Sequence, residues 1–147
     1  MSNDEIVSVR YMVDDVDEAI GFYTKHFGFR RTRVYPAETI PGLGQVVIIT
    51  SGPLSLELFP AREEAPAPPA GGDGPWYPGF RHLAYLVDDL DAKLAEMGDE
   101  ARLTFGPIDL GSIIPGMRVA WLADPEGNIV ELNQGYVDEE NPPPLET

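Results

Sequence analysis

The sequence predicts an α+β fold of two βαβββ modules with mostly antiparallel sheets. Three observations carry this. The block Tyr11-Met12-Val13-Asp14-Asp15-Val16-Asp17 returns 74 positions later as Tyr85-Leu86-Val87-Asp88-Asp89-Leu90-Asp91. The same offset of 74 carries Leu56-Glu57-Leu58 onto Val130-Glu131-Leu132. Two blocks in one register, at the start and end of each half, indicate an internal duplication. Within each half, one helical stripe is followed by several short runs with strand character.

The first half reads as follows. Val7 to Val13 is rich in β-branched residues and predicts a strand. Asp15 stands at an N-cap position with Glu18 three residues on, close to a capping box. Val16, Ala19, Ile20, Tyr23 and Phe27 then recur at steps of three and four, the apolar stripe of a helix that Gly28 ends. Strands are predicted over Arg31 to Tyr35, Gln45 to Thr50 and Leu54 to Phe59, the last two joined through Ser51-Gly52-Pro53. The second half repeats the plan, with a strand from Arg81 to Val87 and a helix from Leu90 to Met97. Asp89 caps that helix and Gly98 ends it. Strands follow at Leu103 to Phe105, Met117 to Ala123 and Ile129 to Asn133, with Asp124-Pro125-Glu126-Gly127-Asn128 as a hairpin turn. The turns agree less well than the strands, because Gly52 falls opposite Glu126 while Gly127 lies one place further on.

Between the halves, residues 60–79 hold six of the 15 prolines and four of the 15 glycines. Such a stretch joins neither a helix nor a central strand and reads as a linker. Its Trp76 and Tyr77 are unusual in a linker and are candidates to cover a pocket. Residues 138–147 form an acidic, Pro-rich tail. The expected organisation is one domain over 1–147, made of modules 6–60 and 80–136.

Composition excludes several functions. With 10 Lys+Arg against 25 Asp+Glu, a formal net charge of -15 argues against nucleic acid and anionic membrane surfaces. A solvated acidic surface is the plainest reading of that surplus. With no cysteine, disulfides, thiolate nucleophiles and Cys-ligated zinc are excluded. The acidic start Met1-Ser2-Asn3-Asp4-Glu5 has no signal-peptide character, and no apolar run approaches a membrane span, so a cytoplasmic protein is expected.

The chemistry-bearing residues stand at matching places in the two halves. Leu56 and Leu58 share one strand face, so Glu57 points to the other; Val130 and Leu132 place Glu131 likewise. A mid-strand carboxylate needs water, a partner or a metal. His82 opens the first strand of the second half, and its counterpart is Ser8. A structural histidine and a solvated glutamate are the ordinary explanations of each residue alone; the repeat favours a shared site. Glu57, His82 and Glu131 are the candidate ligands of one divalent ion, Fe, Mn, Ni, Co or Zn, whereas Ser8 is a poor ligand. Arg10 shares a face with Ser8 and is a candidate contact for an anionic substrate. Arg118 and Trp121 are further pocket candidates. His26 sits in a helix's last turn, where a cation suits the dipole, and is given no catalytic role.

Val13-Asp14-Asp15-Val16-Asp17-Glu18-Ala19-Ile20-Gly21-Phe22-Tyr23, followed by Phe27-Gly28-Phe29, resembles the first helix motif of the vicinal oxygen chelate superfamily. Asp124-Pro125-Glu126-Gly127-Asn128-Ile129-Val130-Glu131-Leu132 is similar to its closing hairpin. That family includes glyoxalase I, methylmalonyl-CoA epimerase, extradiol dioxygenases, fosfomycin-resistance transferases and bleomycin-binding proteins. The resemblance implies that each module curls into a half-barrel around a cavity. It also implies metal ligands on first and last strands, at the positions of Ser8, Glu57, His82 and Glu131. Ser8 departs from the His or Gln of glyoxalase I and the epimerase. The expected function is a metal-dependent enzyme acting on a small oxygenated molecule, the ion stabilising an enolate-like anion and Glu57 or Glu131 acting as base. The alternative is a metal-free protein that binds a drug or metabolite on Trp76, Tyr77, Trp121 and Phe59. A homodimer is expected.

Overall fold

The computed structural model describes residues 8–64 and 79–145. Trp76, Tyr77 and most of the predicted linker lie outside the described residues. The element order is β1 (Ser8–Val13), α1 (Val16–Phe27), β2 (Arg30–Tyr35), β3 (Val46–Ser51), β4 (Leu54–Pro60), β5 (His82–Leu86), α2 (Leu90–Met97), a 3-10 turn (Gly98–Glu100), β6 (Arg102–Asp109), β7 (Arg118–Ala123) and β8 (Ile129–Gln134). This is an α+β fold of two four-stranded sheets, ordered β1-β4-β3-β2 and β5-β8-β7-β6, neither of them closed.

Each sheet is mixed. β1 runs parallel to β4 and β5 parallel to β8, while the other pairings are antiparallel. The sheets share one plan down to register. Ser8 pairs with Ser55 and His82 with Ile129, each partner shifted by the same 74 residues. The repeat slips by one residue at the next ladder. Ile48 faces Glu57, whereas Trp121 faces Glu131, because four residues separate the paired Thr50 and Ser55 and five separate Ala123 and Ile129.

The helices form where the capping residues dictate. The Asp15 side chain accepts from the Glu18 backbone N–H at 3.0 Å, and Gly28 ends α1 in the left-handed region at φ 67. Only half of the expected capping box is present. The Asp15 N–H donates to Glu126 Oε1 at 2.8 Å and not to Glu18. Asp89 caps α2 by accepting from the Ala92 N–H at 2.9 Å. Beyond α2 the chain continues as the 3-10 turn at Gly98.

The chain divides into two compact units. The first is Met1–Pro69 with Asp124–Asn128, and the second Ala70–Ala123 with Ile129–Thr147. In the first, Ala19, Phe22 and Tyr23 of α1 are buried with Val47, Ile49, Leu56 and Leu58. In the second, Leu90 and Met97 of α2 are buried with Ala120, Leu122, Val130 and Leu132. Each helix packs on the two central strands of its own sheet. Alternation therefore turns the odd polar residues of those strands to the face away from the helix.

β6 is longer than the sequence suggests. The sequence predicts a strand over Leu103 to Phe105, yet β6 runs on through Gly106-Pro107 to Asp109. β6 is an edge strand, where a proline removes no needed ladder bond. Gly106 has φ +80, and a Cβ there would lie 2.9 Å from the Val119 carbonyl oxygen, so only glycine fits. Among the described residues, no helix is long and apolar enough to cross a membrane.

Candidate active site

In the first unit, β1 and β4 are in register, so Ser8, Arg10 and Met12 stand beside Ser55, Glu57 and Phe59 on the face away from α1. Ile48 and Thr50 of β3 complete it. A cleft of about 390 Å³ opens here, lined by Ser8, Thr32, Arg33, Tyr35, Ile48, Ser55 and Glu57. Hydroxyls run across its floor, with Thr32 and Thr50 bonded at 2.9 Å and Thr50 and Ser55 at 2.8 Å. Glu57 is half-buried and makes no hydrogen bond or ion pair among the described residues. Arg10 lies over the Phe59 ring, 5.1 Å from its centroid. Phe59, named beforehand as a stacking surface, is engaged by that guanidinium.

Tyr11 faces the helix, as alternation required. Its ring meets Tyr23 edge-on at 6.2 Å. Tyr23 in turn donates its hydroxyl to Asp124 Oδ2 at 2.7 Å. Burial is the larger cause, and the nearby Asp124 charge the smaller, that push the Tyr11 phenol up to about 12 against the Tyr23 hydrogen bond. Asp124 is only 1% exposed yet fully engaged. It also accepts from the Glu126 and Asn128 backbone N–H groups at 2.9 and 2.8 Å and from Asn128 Nδ2 at 3.1 Å. The 124–128 turn is thus fastened to the first unit by one buried carboxylate.

In the second unit, the face away from α2 carries His82, Trp121, Glu131 and Asn133. His82 Nε2 and Glu131 Oε1 are 3.7 Å apart, with side chains 21% and 16% exposed. The Trp121 indole N–H donates to Glu131 Oε1 at 2.9 Å, and Asn133 Nδ2 approaches Glu131 Oε2 at 3.4 Å. Trp121 also stacks on Phe105 at 4.4 Å and lies 5.9 Å from the His82 ring. The other end of the Asn133 amide, Oδ1, is buried and accepts no hydrogen bond among the described residues.

Arg118 does not join this face. It sits two places from Ala120 on the helix side and donates to Asp91 of α2 at 2.8 Å. That bond raises its already high pKa. His26 is buried against Phe22 at 5.1 Å, a packing role. Of the predicted ligands, the structure brings His82 and Glu131 together in one unit, and Glu57 belongs to the other. Among the described residues, no group of three or more His, Asp or Glu side chains gathers to hold an ion.

Sequence reasoning missed five of these residues. Asn133 was readable, because it alternates with Glu131. Asp124 was visible only as a turn residue. Phe105 was placed on a strand without a role. Arg33 and Tyr35 were hidden by a bulge, since Arg31 pairs with Ile49 but Arg33 with Ile48.

The family model for the Glyoxalase/Bleomycin resistance protein/Dioxygenase superfamily matches residues 5–132. The chain belongs to that superfamily. No curated protein shows a significant sequence match to it. Among solved structures it is similar to a glyoxalase family protein from Enterococcus faecalis, at 22% identity over 90% of this chain and 99% of that one, TM-score 0.68. It is also similar to TnmS3, an antibiotic binding protein from Streptomyces sp. CB03234, at 24% identity over 92% and 99%, TM-score 0.62. A third is the fosfomycin resistance protein FosX from Listeria monocytogenes, complexed with Mn(II) and sulfate, at 12% identity over 93% and 96%, TM-score 0.62. At these identities the likeness concerns the fold of this superfamily member, not its reaction.

Proposed function

We propose that this superfamily member is a divalent-metal-dependent enzyme that removes a proton beside a carbonyl of a small oxygenated molecule. The observation that carries this is the His82–Glu131 pair. At 3.7 Å the two atoms are too far apart to be hydrogen-bonded to one another. They are close to the separation of two ligands of one ion, roughly 3–3.5 Å for bonds of about 2.1 Å. The donor chemistry, imidazole with carboxylate, suits Mn, Fe, Ni, Co or Zn. Glu131 is further oriented by the Trp121 N–H, the arrangement that metal-ligating carboxylates adopt.

Glu57 takes in its own sheet the place that Glu131 takes in the other. When bound, the ion would polarise the substrate carbonyl as a Lewis acid. Glu131 stays fixed by Trp121 and Asn133. Glu57 has no such restraint among the described residues, which leaves its carboxylate able to take up a proton, the base role expected of Glu57 or Glu131 from the sequence. A second reading has one observation in its favour. The stacked Phe105–Trp121 pair is a ready platform for a flat ligand in a metal-free binding protein, the role that the name of TnmS3 describes.

Elemental analysis of freshly purified protein tests the proposal. One equivalent of a divalent metal per chain in wild type, lost in His82→Ala, supports it. Metal-free protein whose melting temperature ignores Mn, Fe, Ni, Co and Zn overturns it and leaves the binding reading.

A further inference from the structure

The bulge in β2 places a cation where regular pairing would not. Arg30 pairs with Thr50 and Arg31 with Ile49, but Arg33 pairs with Ile48. Thr32 is the extra residue, bonded through Oγ1 to the Ile48 carbonyl at 3.4 Å and to Thr50. The consequence is a change of face. Arg33 and Tyr35 now share the face of Ile48 and Glu57 and line the cleft. Arg33 makes no ion pair among the described residues, in a chain of net charge -15. The bulge brings this guanidinium to the cleft that Glu57 also lines.

We infer that Arg33 makes the cleft of the first unit a seat for a small monocarboxylate. This names the substrate class of the enzyme proposed above, and it rests on that reading for the identity of the cleft as the substrate's place. A guanidinium presents a planar fork that matches a carboxylate through two parallel N–H···O bonds. The Ser8 hydroxyl supplies a neutral donor in the same cleft, and Tyr35 and Ile48 offer a wall for the carbon skeleton. Glu57 lines the same cleft and selects the charge of the ligand. With Arg33 and Glu57 already opposite in charge, a monoanion leaves one negative charge in excess and a phosphate dianion two, so the smaller charge is favoured. The carboxylate of the ligand therefore lies at Arg33, and its oxygenated carbon is directed toward Glu57.

The test uses fluorine NMR on full-length protein treated with EDTA, so that no metal can capture the probe. The probes are para-fluorobenzoate and its neutral analogue para-fluorobenzamide. The benzoate should bind at least about fivefold more tightly than the amide, and Arg33→Gln should weaken benzoate about tenfold or more while leaving the amide unchanged. Arg33→Lys should fall between, because it keeps the charge and loses the fork. Acetate should displace the benzoate better than inorganic phosphate does. Equal binding of the two probes, no binding of the benzoate, full affinity in Arg33→Gln, or stronger displacement by phosphate would each overturn the assignment. Metal titration of Arg33→Gln separates this from the metal proposal. Its metal affinity should match wild type, so either reading can fail while the other stands.

Discussion

At the scale of single residues, Asp124 does more than its place in a turn suggests. Its buried carboxylate accepts from Tyr23, Glu126 and Asn128 at once. Removing it leaves several buried donors without acceptors, each costing about 1–3 kcal/mol. Asp124→Ala should lower unfolding free energy by at least about 2 kcal/mol in urea titrations, whereas a loss under about 0.5 kcal/mol would show that water replaces the carboxylate. Tyr11 reports on the same network through pH. Its phenol is raised from 10.0 to about 12, so between those values the unfolded chain has released a proton that the folded chain still holds. This contribution to stability is complete below pH 10 and is lost as pH rises toward 12, on the order of 2 kcal/mol in all. In Tyr11→Phe the alkaline decline should be shallower by that amount. Parallel declines in the two proteins would contradict the assignment.

At the scale of elements, the second sheet shows how the Glu131 carboxylate is held in place. β7 places Trp121 opposite Glu131, and the one-residue-longer 124–128 turn makes that pairing possible where the first sheet has Ile48 opposite Glu57. Trp121→Phe keeps the aromatic stack and removes the N–H. It should weaken metal affinity about 10- to 100-fold without unfolding the protein, as seen by titration and circular dichroism. Unchanged affinity would mean that Trp121 is packing alone. Much of this was legible in the sequence. Asp15 and Asp89 as caps, Gly28 as a terminator and the faces of Glu57 and Glu131 all followed from local rules of spacing. What stayed hidden depends on neighbours. The length of β6 past Gly106-Pro107 depends on its edge position, and the face of Arg33 depends on a bulge that no local pattern marks. The parallel β1–β4 and β5–β8 pairs are likewise a matter of topology, not of any one strand's composition.

At the scale of the whole molecule, two open four-stranded sheets leave edge strands with unpaired backbone groups. A second copy of the chain can cover them, and a homodimer is the expected state. Light scattering at micromolar concentration should give twice 16.1 kDa, and a monomer mass would contradict this.

The central claim is that His82 and Glu131 hold a divalent ion. Competitive titration of Mn and Zn against a chromophoric chelator tests it most directly. The account predicts one site per chain in wild type, weakened at least about tenfold, or roughly 1.4 kcal/mol, in both His82→Ala and Glu131→Gln with the fold intact. Equal affinity in wild type and the two variants, or no competition by wild type at all, would contradict it.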